Sequence, residues 1–341
     1  MKIETLIRPH IAGIKPYTSA RHENSEGLLL DANENPFGTY NRYPDPFQSE
    51  LKSRLAEIKG VDADRLFIGN GSDEIIDLLI RLFCEPGKDK ILTFAPTYGM
   101  YKVSAAVNAV ETIEIPLTRD FEIPSVLPPD ENIKMVFICS PNNPTGNTVP
   151  GDSIQRVLDR FKGIVVVDEA YIDFSEEDSW MTKKKSNLVV MQTLSKSWAL
   201  AGLRLGIAIA DPVLIGYLNK IKLPYNVSTA NQIEALNTLS HTDAFEKRIE
   251  LIRQEKETLE ASLQKLEIVE KIYPSQANFL LVEFKNSDRV FEFLLKEGIV
   301  IRNRASEVPG CLRITVGTHD ENQVLLKALN KIDDEKNIVS R

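Results

Sequence analysis

The chain has few of the features that mark secreted, metal-binding or nucleic-acid-binding proteins. Its 341 residues contain three cysteines, all far apart and without C-x-x-C spacing, which argues against a disulfide framework or a structural zinc site. Cys139 and Cys311 adjoin apolar runs and are expected in the core. The formal net charge is −8 and the basic run at 183–185 is short, so we expect no nucleic-acid partner.

Long apolar segments and nucleotide-binding motifs are also missing. No run approaches the roughly 18 apolar residues of a transmembrane helix, and residues 1–5 lack the apolar core of a signal peptide. We therefore expect a cytoplasmic protein with no membrane partner. No G-x-x-x-x-G-K-[ST] loop is present, and no G-x-G-x-x-G follows an early strand. Both absences disfavour a P-loop enzyme and a nicotinamide dehydrogenase.

What is present is a pattern of short apolar runs that alternate with helical stretches from Leu66 onward. This alternation predicts an α/β fold with a largely parallel sheet. Because the last run follows its predecessor closely, it is predicted as an antiparallel edge strand. The predicted strands are 91–94, 110–115, 135–139, 164–167, 188–193 and 206–210.

A charged helical stretch at about 243–267 separates this sheet from a smaller module. The module is predicted to be α+β, with strands at 279–284, 299–301 and 312–316, a helix near 288–296 and a terminal helix from about 321. Residues 1–30 show little periodicity and are predicted to form an irregular arm. The predicted organisation is an arm at 1–30, a large α/β domain at 31–242 and a small α+β domain at 243–341.

Lys196 lies just beyond the predicted strand 188–193, in the run T-L-S-K-S-W-A-L-A-G-L-R. Open parallel sheets bind ligands beyond the carboxyl ends of their strands. A lysine at that position, with Arg204 eight residues later, suggests an amine that forms a Schiff base with a cofactor whose phosphate the arginine neutralises.

Three further segments place suitable side chains at loops or strand ends. Glycines and Ser72 at 69–74 precede an apolar helical run, and a helix start of this kind favours a phosphate. Asn143 lies in S-P-N-N-P-T-G directly after strand 135–139. Asp168 ends strand 164–167 in D-E-A-Y and would hold a positive charge such as a protonated pyridine nitrogen, although Asp168 and Glu169 would also suit Mg²⁺. Together the segments supply the groups that pyridoxal phosphate needs.

With these motifs the chain resembles the fold-type I pyridoxal-phosphate aminotransferases, and most closely their histidinol-phosphate branch. The resemblance extends from I-K-P-Y at 14–17, through D-A-N-E-N-P at 31–36 and R-Y-P at 42–44, to G-C-L-R-I-T-V-G at 310–317. It implies a large cofactor-binding domain, a smaller α+β domain, and a homodimer with shared active sites.

The resemblance also implies roles for individual residues. Lys196 would carry the cofactor as a Schiff base and then move a proton, while Asp168 would pair with the pyridinium nitrogen. Tyr171 and Asn143 would hydrogen-bond the phenolic oxygen, and Tyr98 would stack on the ring. The residues implied for the cofactor phosphate are Gly71, Ser72, Asp73, Ser195 and Arg204, together with Tyr43 reaching into the neighbouring subunit.

Substrate recognition is implied for Arg302 and Arg313, with Tyr17 and Asn143. Guanidinium groups bind phosphates and carboxylates in bidentate fashion, so one set would serve histidinol phosphate and 2-oxoglutarate or glutamate. Arg304 lies on the same strand-face parity, which leaves the choice between Arg302 and Arg304 open. The expected reaction converts L-histidinol phosphate and 2-oxoglutarate into imidazole-acetol phosphate and L-glutamate. The alternatives are transamination of aromatic amino acids and, third, decarboxylation of threonine phosphate.

Overall fold

A seven-stranded sheet organises most of the chain in the computed structural model, which describes residues 2–18 and 27–339. Its strand order is β1-β7-β6-β5-β4-β2-β3. The strands are β1 (Leu66–Asn70), β2 (Lys90–Ala95), β3 (Glu111–Pro116), β4 (Ile133–Cys139), β5 (Ile164–Asp168), β6 (Leu188–Thr193) and β7 (Leu205–Ile209).

The direction of β7 agrees with the sequence prediction, but its position does not. Strands β2 to β6 are parallel neighbours, whereas β7 runs antiparallel to β6. The other side of β7 pairs with β1, also antiparallel. The predicted edge strand is therefore an interior strand. The error arose because β1, in which a glycine and an asparagine follow three apolar residues, was interpreted only as the lead into a helix.

Helices cover both faces of this sheet, which explains its continuous apolar strands. Every residue of β5 and β6 is buried. Along β5 the side chains alternate between two apolar layers, with Val166 in one and Val165 and Val167 in the other. The first layer includes α3 (Ser72–Phe83), α4 (Met100–Val107) and α6 (Pro212–Ile221), and the second includes α2 (Ser49–Lys59), α5 (Gly151–Arg160) and α7 (Thr229–Leu239).

A four-stranded antiparallel sheet forms the smaller module, in the order β10-β11-β9-β8. Its strands are β8 (Val269–Tyr273), β9 (Phe279–Phe284), β10 (Arg302–Asn303) and β11 (Cys311–Thr315), and its helices are α8 (Thr242–Leu263), α9 (Ser287–Lys296) and α10 (His319–Val339). The strand predicted at 299–301 is wrong, because pairing starts only at Arg302. The partly exposed β8 was missed because its apolar alternation is interrupted by Glu270 and Lys271.

Part of the predicted irregular arm is helical. A 3₁₀ turn at Ile3–Thr5 and helix α1 (Pro9–Gly13) bury Ile3, Ile7 and Ile11 against the first apolar layer. These isoleucines recur every four residues, a helical spacing that the sequence analysis overlooked. Residues 1 and 19–26 of the arm lie outside the described residues. We keep the domain boundary at 242/243 as a proposal, supported by the start of α8 at Thr242.

The described helices include none that is long and apolar enough to cross a membrane. Cys84, Cys139 and Cys311 are buried free thiols, and the core position expected for Cys139 and Cys311 is the one observed.

Docking of the arm is testable with Ile7→Ala. Ile7 is 4% exposed, so truncation removes buried apolar contacts and should lower the free energy of unfolding by about 2–5 kcal/mol, as measured by urea denaturation. Val107→Ala, at a side chain that is 76% exposed, is the control and should change it by less than about 0.5 kcal/mol. Equal effects of the two substitutions would contradict docking of the arm.

Candidate active site

A cavity of about 360 Å³ lies where the ends of β4, β5 and β6 meet the arginines of the small sheet. Cys139, Asp168 and Thr193 are the last residues of these strands and all line it. Because parallel strands end at one edge of a sheet, their polar termini converge. The predicted site residues that line the cavity are Ser72, Asp73, Tyr98, Asn143, Asp168, Tyr171, Ser195, Lys196, Arg204, Arg302 and Arg313.

The start of α3 forms an anion cradle at one end of the cavity. Gly71 precedes the helix with φ +81°, and no side chain caps the first turn. A Cβ on Gly71 would stand 2.8 Å from Nη2 of Arg204, so only glycine allows the guanidinium to approach this closely. Arg204 Nη2 lies 3.4 Å from Asp73 Oδ2. Uncapped amides, the helix dipole and an arginine together suit a phosphate.

Lys196 follows β6 in a turn and is accessible from the cavity. Its Nζ lies 5.8 Å from the centre of the Tyr171 ring. Burial of the amine lowers the pKa of Lys196, and the positive charges of Arg313 and Arg204 lower it further. A lowered pKa increases the fraction of neutral amine, the form that acts as a nucleophile. The adjoining Ser197 donates a hydrogen bond to Asp173, which fixes this turn to the one after Tyr171.

Asp168 forms the floor of the cavity and is 3% exposed. Its Oδ2 accepts a 2.6 Å hydrogen bond from the Tyr101 hydroxyl, and its Oδ1 accepts one of 3.1 Å from the backbone N–H of Ala170. Burial raises the pKa of Asp168 to about 6, against the effect of these two donors. A buried carboxylate without a full counter-charge is suited to pair with a cationic ligand in the cavity.

Tyr101 is a site residue that the sequence analysis missed. It lies in α4, is fully buried and stacks on Phe137 with ring centres 4.6 Å apart. The available signal was its place close after Tyr98, at the start of α4. In the structure the two rings contact each other edge to face, and the Tyr98 hydroxyl donates to Asp73 Oδ1 at 3.0 Å.

Asp168 and Glu169 do not form a metal-binding pair. The Glu169 carboxylate accepts hydrogen bonds from Ser179, from the backbone N–H of Trp180 at 2.7 Å and from Gln192 at 2.9 Å. None of these groups contacts Asp168, so the two carboxylates serve separate networks. Within 2–18 and 27–339, no cluster of His, Cys, Asp and Glu has a metal-binding arrangement. The Mg²⁺ alternative is therefore unsupported.

The wall opposite Lys196 contains residues of both sheets. Arg313 Nη1 donates to Asn143 Oδ1, and its guanidinium lies over the Phe279 ring, 5.2 Å from the ring centre. Tyr171 packs edge to face on the same ring at 5.1 Å. Burial raises the pKa of Tyr171 well above its ordinary value, with the charge of Arg313 acting in the opposite sense. Asn143 thus connects the loop after β4 to the small sheet.

Arg302, Arg304 and Arg313 all line the cavity. Arg302 stands directly opposite Arg313 in the register between β10 and β11. The choice posed by the sequence between Arg302 and Arg304 is therefore not exclusive, because both side chains reach the cavity wall. The cavity is also lined by four residues that were not predicted, namely Cys139, Ala170, Thr193 and Ala201.

Tyr17 and Tyr43 are not among the residues that line this cavity. Tyr17 is 67% exposed. Tyr43 stacks on Tyr225 with ring centres 4.5 Å apart and lines a separate cavity of about 640 Å³. Their expected roles stay predictions, and that of Tyr43 requires a second subunit.

The parallel sheet, the phosphate-type cradle and the lysine–aspartate pair of the cavity are the arrangement of an aminotransferase. The sequence profile of the aminotransferase class I and II family matches residues 12–329, so the chain belongs to that family.

Within the family, the histidinol-phosphate aminotransferases include close relatives. The one from Parabacteroides distasonis is 48% identical over 340 residues, covering 97% of this chain and 99% of that protein. The one from Flavobacterium johnsoniae is 47% identical over 344 residues, with coverage of 97% and 99%. The expected resemblance to this branch is thereby confirmed.

Solved structures agree on the fold. The histidinol-phosphate aminotransferase from Clostridium acetobutylicum superposes with a TM-score of 0.79 at 25% identity, covering 87% of this chain and 92% of that one. The L-threonine-O-3-phosphate decarboxylase from Porphyromonas gingivalis gives a TM-score of 0.73 at 23% identity, with coverage of 86% and 91%. At that identity the second likeness concerns the fold alone.

The Tyr101–Asp168 hydrogen bond leads to a pH-dependent prediction for Tyr101→Phe. The pKa of Asp168 in the folded protein, about 6, exceeds its ordinary value of 3.8. Between pH 3.8 and about 6 the folded protein retains a proton on Asp168 that the unfolded chain has lost. The protonated Asp168 therefore contributes to the free energy of unfolding at low pH, and this contribution disappears as pH rises through about 6. Removing the hydroxyl should cost about 1.5–3 kcal/mol at pH 8, where the carboxylate is charged, and clearly less at pH 5.

The measurement is urea denaturation of the ligand-free protein at the two pH values. Tyr98→Phe is the matched control, since it removes a hydroxyl of the same cavity that bonds to Asp73. If the decrease in the free energy of unfolding caused by Tyr101→Phe is no larger at pH 8 than at pH 5, the hydroxyl does not stabilise the charged form of Asp168.

Proposed function

We propose that the protein is a pyridoxal-phosphate-dependent aminotransferase that converts L-histidinol phosphate and 2-oxoglutarate into imidazole-acetol phosphate and L-glutamate, in histidine biosynthesis. The proposal rests on one observation: Arg302 and Arg313, which stand opposite each other on β10 and β11, line the same cavity as Lys196. An amine and two guanidinium groups thus line one cavity. The names of the relatives support the same assignment.

The residues present fit the cofactor. The α3 cradle, with Gly71, Ser72, Asp73, Ser195 and Arg204, would hold the phosphate, and Asp168 would hold the protonated ring nitrogen. Tyr98 would cover the ring, while Asn143 and Tyr171 would donate to its phenolic oxygen. When bound, pyridoxal phosphate supplies an electron-withdrawing ring that stabilises negative charge at the substrate carbon.

The chain's own residues would supply binding and proton transfer. Lys196 would attach the cofactor covalently and then take the proton from the substrate Cα through its Nζ. The lowered pKa of Lys196 supports both tasks, because each needs the neutral amine. Asp168 would keep the ring nitrogen protonated from its buried position. Tyr101 would act through Asp168 as a positioning residue.

Arg302 and Arg313, with Tyr17 and Asn143, would bind the anionic group of each substrate. Both a phosphate and a carboxylate accept paired N–H bonds from a guanidinium. A phosphate-bearing amine therefore uses the arginines more fully than an aromatic amino acid, whose ring brings no charge. This difference favours histidinol phosphate over the aromatic alternative.

We also propose that the enzyme is a cytoplasmic homodimer in which Tyr43 reaches the cofactor phosphate of the neighbouring subunit. The support is the set of apolar side chains exposed before α2. Leu28, Leu30, Phe37 and Tyr40 are 86%, 80%, 83% and 66% exposed. A cluster of exposed apolar residues on one segment marks an interaction surface.

Covalent attachment is tested by borohydride reduction of the yellow protein followed by peptide mass analysis. The added mass is expected on Lys196, and Lys196→Ala should be colourless and slower in transamination by about 10²- to 10⁴-fold. The control is Lys327→Ala, at an exposed lysine of α10, which should keep colour and rate. A colourless Lys196→Ala protein that transaminates at the original rate would refute the assignment.

The substrate is tested by comparing kcat/KM for L-histidinol phosphate and L-phenylalanine, each with 2-oxoglutarate, and by assaying CO₂ release from L-threonine O-3-phosphate. We expect a strong preference for histidinol phosphate over phenylalanine, because phenylalanine has no phosphate ester for the arginines to bind. We expect no release of CO₂ from the phosphothreonine, because the proposed reaction is transamination and not decarboxylation. A preference for phenylalanine, or release of CO₂ from the phosphothreonine, would overturn the substrate but not the cofactor.

A further inference from the structure

Arg304 is a third arginine of the cavity, and the proposed function gives it no task. Its backbone N–H donates to Cys311 O at 3.0 Å, just beyond the register in which Arg302 faces Arg313. Residues two apart in an extended strand point to the same face. The side chain of Arg304 therefore lies on the same side as those of Arg302 and Arg313, and all three line the cavity.

The Arg304 guanidinium is held by one acidic neighbour. Its side chain is 17% exposed, and Nη1 lies 2.7 Å from Glu307 Oε1. Its Nε is buried and has no hydrogen-bond acceptor. Within the described part of the chain, Glu307 is the one side chain that forms a salt bridge with Arg304. Among the described residues no acceptor is bonded to the terminal nitrogen Nη2, which can therefore donate to an anion in the cavity.

Arg304 is also close enough to Arg313 to affect its electrostatics. Burial lowers the pKa of the Arg313 guanidinium, and the charges of Arg304 and Arg302 lower it further, against the opposing effect of Tyr171. Three cations that disfavour one another at one wall, with Glu307 paired to one of them, indicate a site for an anion of more than one charge.

The anionic groups that the two substrates of the proposed function would present to the arginines differ in charge and in number of oxygens. A carboxylate has one charge and two oxygens, which one guanidinium binds in bidentate fashion. A phosphate monoester has a charge between about −1.5 and −2 and three terminal oxygens. Arg302 and Arg313 suffice for a carboxylate, whereas a phosphate brings a third oxygen and additional negative charge, to which Arg304 of the same wall can donate.

We propose that Arg304 determines specificity by binding the third terminal oxygen of a phosphate-ester substrate, and that it stays paired with Glu307 when a carboxylate substrate occupies the site. With a carboxylate bound, the positive charge of Arg304 is neutralised by Glu307 instead of by the substrate. The identity of the phosphate ester rests on the proposed function, but the preference for phosphate over carboxylate does not.

The first test is Arg304→Gln. We expect kcat/KM for L-histidinol phosphate to fall about 10- to 100-fold, through KM, because a hydrogen bond to a charged group is lost. For L-glutamate the fall should be less than about 3-fold. Arg302→Gln should weaken both substrates, and Arg248→Gln, at an exposed position of α8, should weaken neither. Equal losses for both substrates, or no loss for either, in Arg304→Gln would overturn the proposal.

A second test separates this proposal from the proposed function. Inorganic phosphate and succinate are compared as competitive inhibitors of the half-reaction with glutamate. In Arg304→Gln the inhibition constant for phosphate should rise about 10-fold or more, while that for succinate stays within about 3-fold. If the enzyme does not accept histidinol phosphate, the proposed function fails, yet the ratio of the two inhibition constants still decides the role of Arg304.

Glu307→Gln provides a variant that keeps Arg304 and frees it from its partner. We expect succinate to inhibit this variant more strongly than the original enzyme, because the released guanidinium can bind the carboxylate. Weaker inhibition by both anions would show that the pair serves only to hold the 304–310 loop, and the proposal would be overturned. Melting temperatures of both variants establish that the comparison is made between folded proteins.

Discussion

The buried carboxylate of Asp168 is the constraint on which the rest of the site depends. It ends β5, whose four preceding residues are fully buried between two apolar layers. A charged group is costly inside such a strand, so it is placed at an end, and ligands of open parallel sheets bind at the carboxyl ends. Its two donors do not compensate the burial, since the pKa of Asp168 is still raised to about 6. A cation bound in the cavity would complete the pairing, and Lys196 and the residues of the cradle line the same cavity.

Contacts between the two sheets fix the distance from this floor to the arginine wall. Gln276 N–H donates to Gly146 O at 2.7 Å, beside the hydrogen bond from Arg313 to Asn143. Lys256 of α8 donates to Ser275 O at 2.7 Å and so holds the segment that makes this contact. The loop after β4 therefore connects the anion site to the sheet that carries the amine.

The sequence predicted the parts of the molecule whose signals are local. β6 agrees with the predicted range, β5 extends one residue past it, and the lysine turn directly follows β6. The cradle was predicted from its own glycine and serine motif at the start of α3. Two of the missed features, β1 and the role of Tyr101, depend on contacts between distant parts of the chain. β1 becomes recognisable as a strand only in the folded chain, where it pairs with the side of β7 that does not face β6. Tyr101 contacts Asp168 across 67 residues of sequence. The role expected of Tyr43 depends on a second subunit, and contacts of that kind are not determined by local sequence.

The arginines also affect the amine, which links anion binding to proton transfer. Arg313 and Arg204 both contribute to the lowered pKa of Lys196, after burial. A phosphate in the cradle would neutralise Arg204, and a substrate anion would neutralise Arg313, so each binding event would raise that pKa again. Neutral lysine would thus be favoured while the cavity awaits its ligands, and a stronger base would be present once they are bound. The protein has a net charge of −8. The electrostatic environment of Lys196 is nevertheless determined by the arginines near it and not by this overall charge.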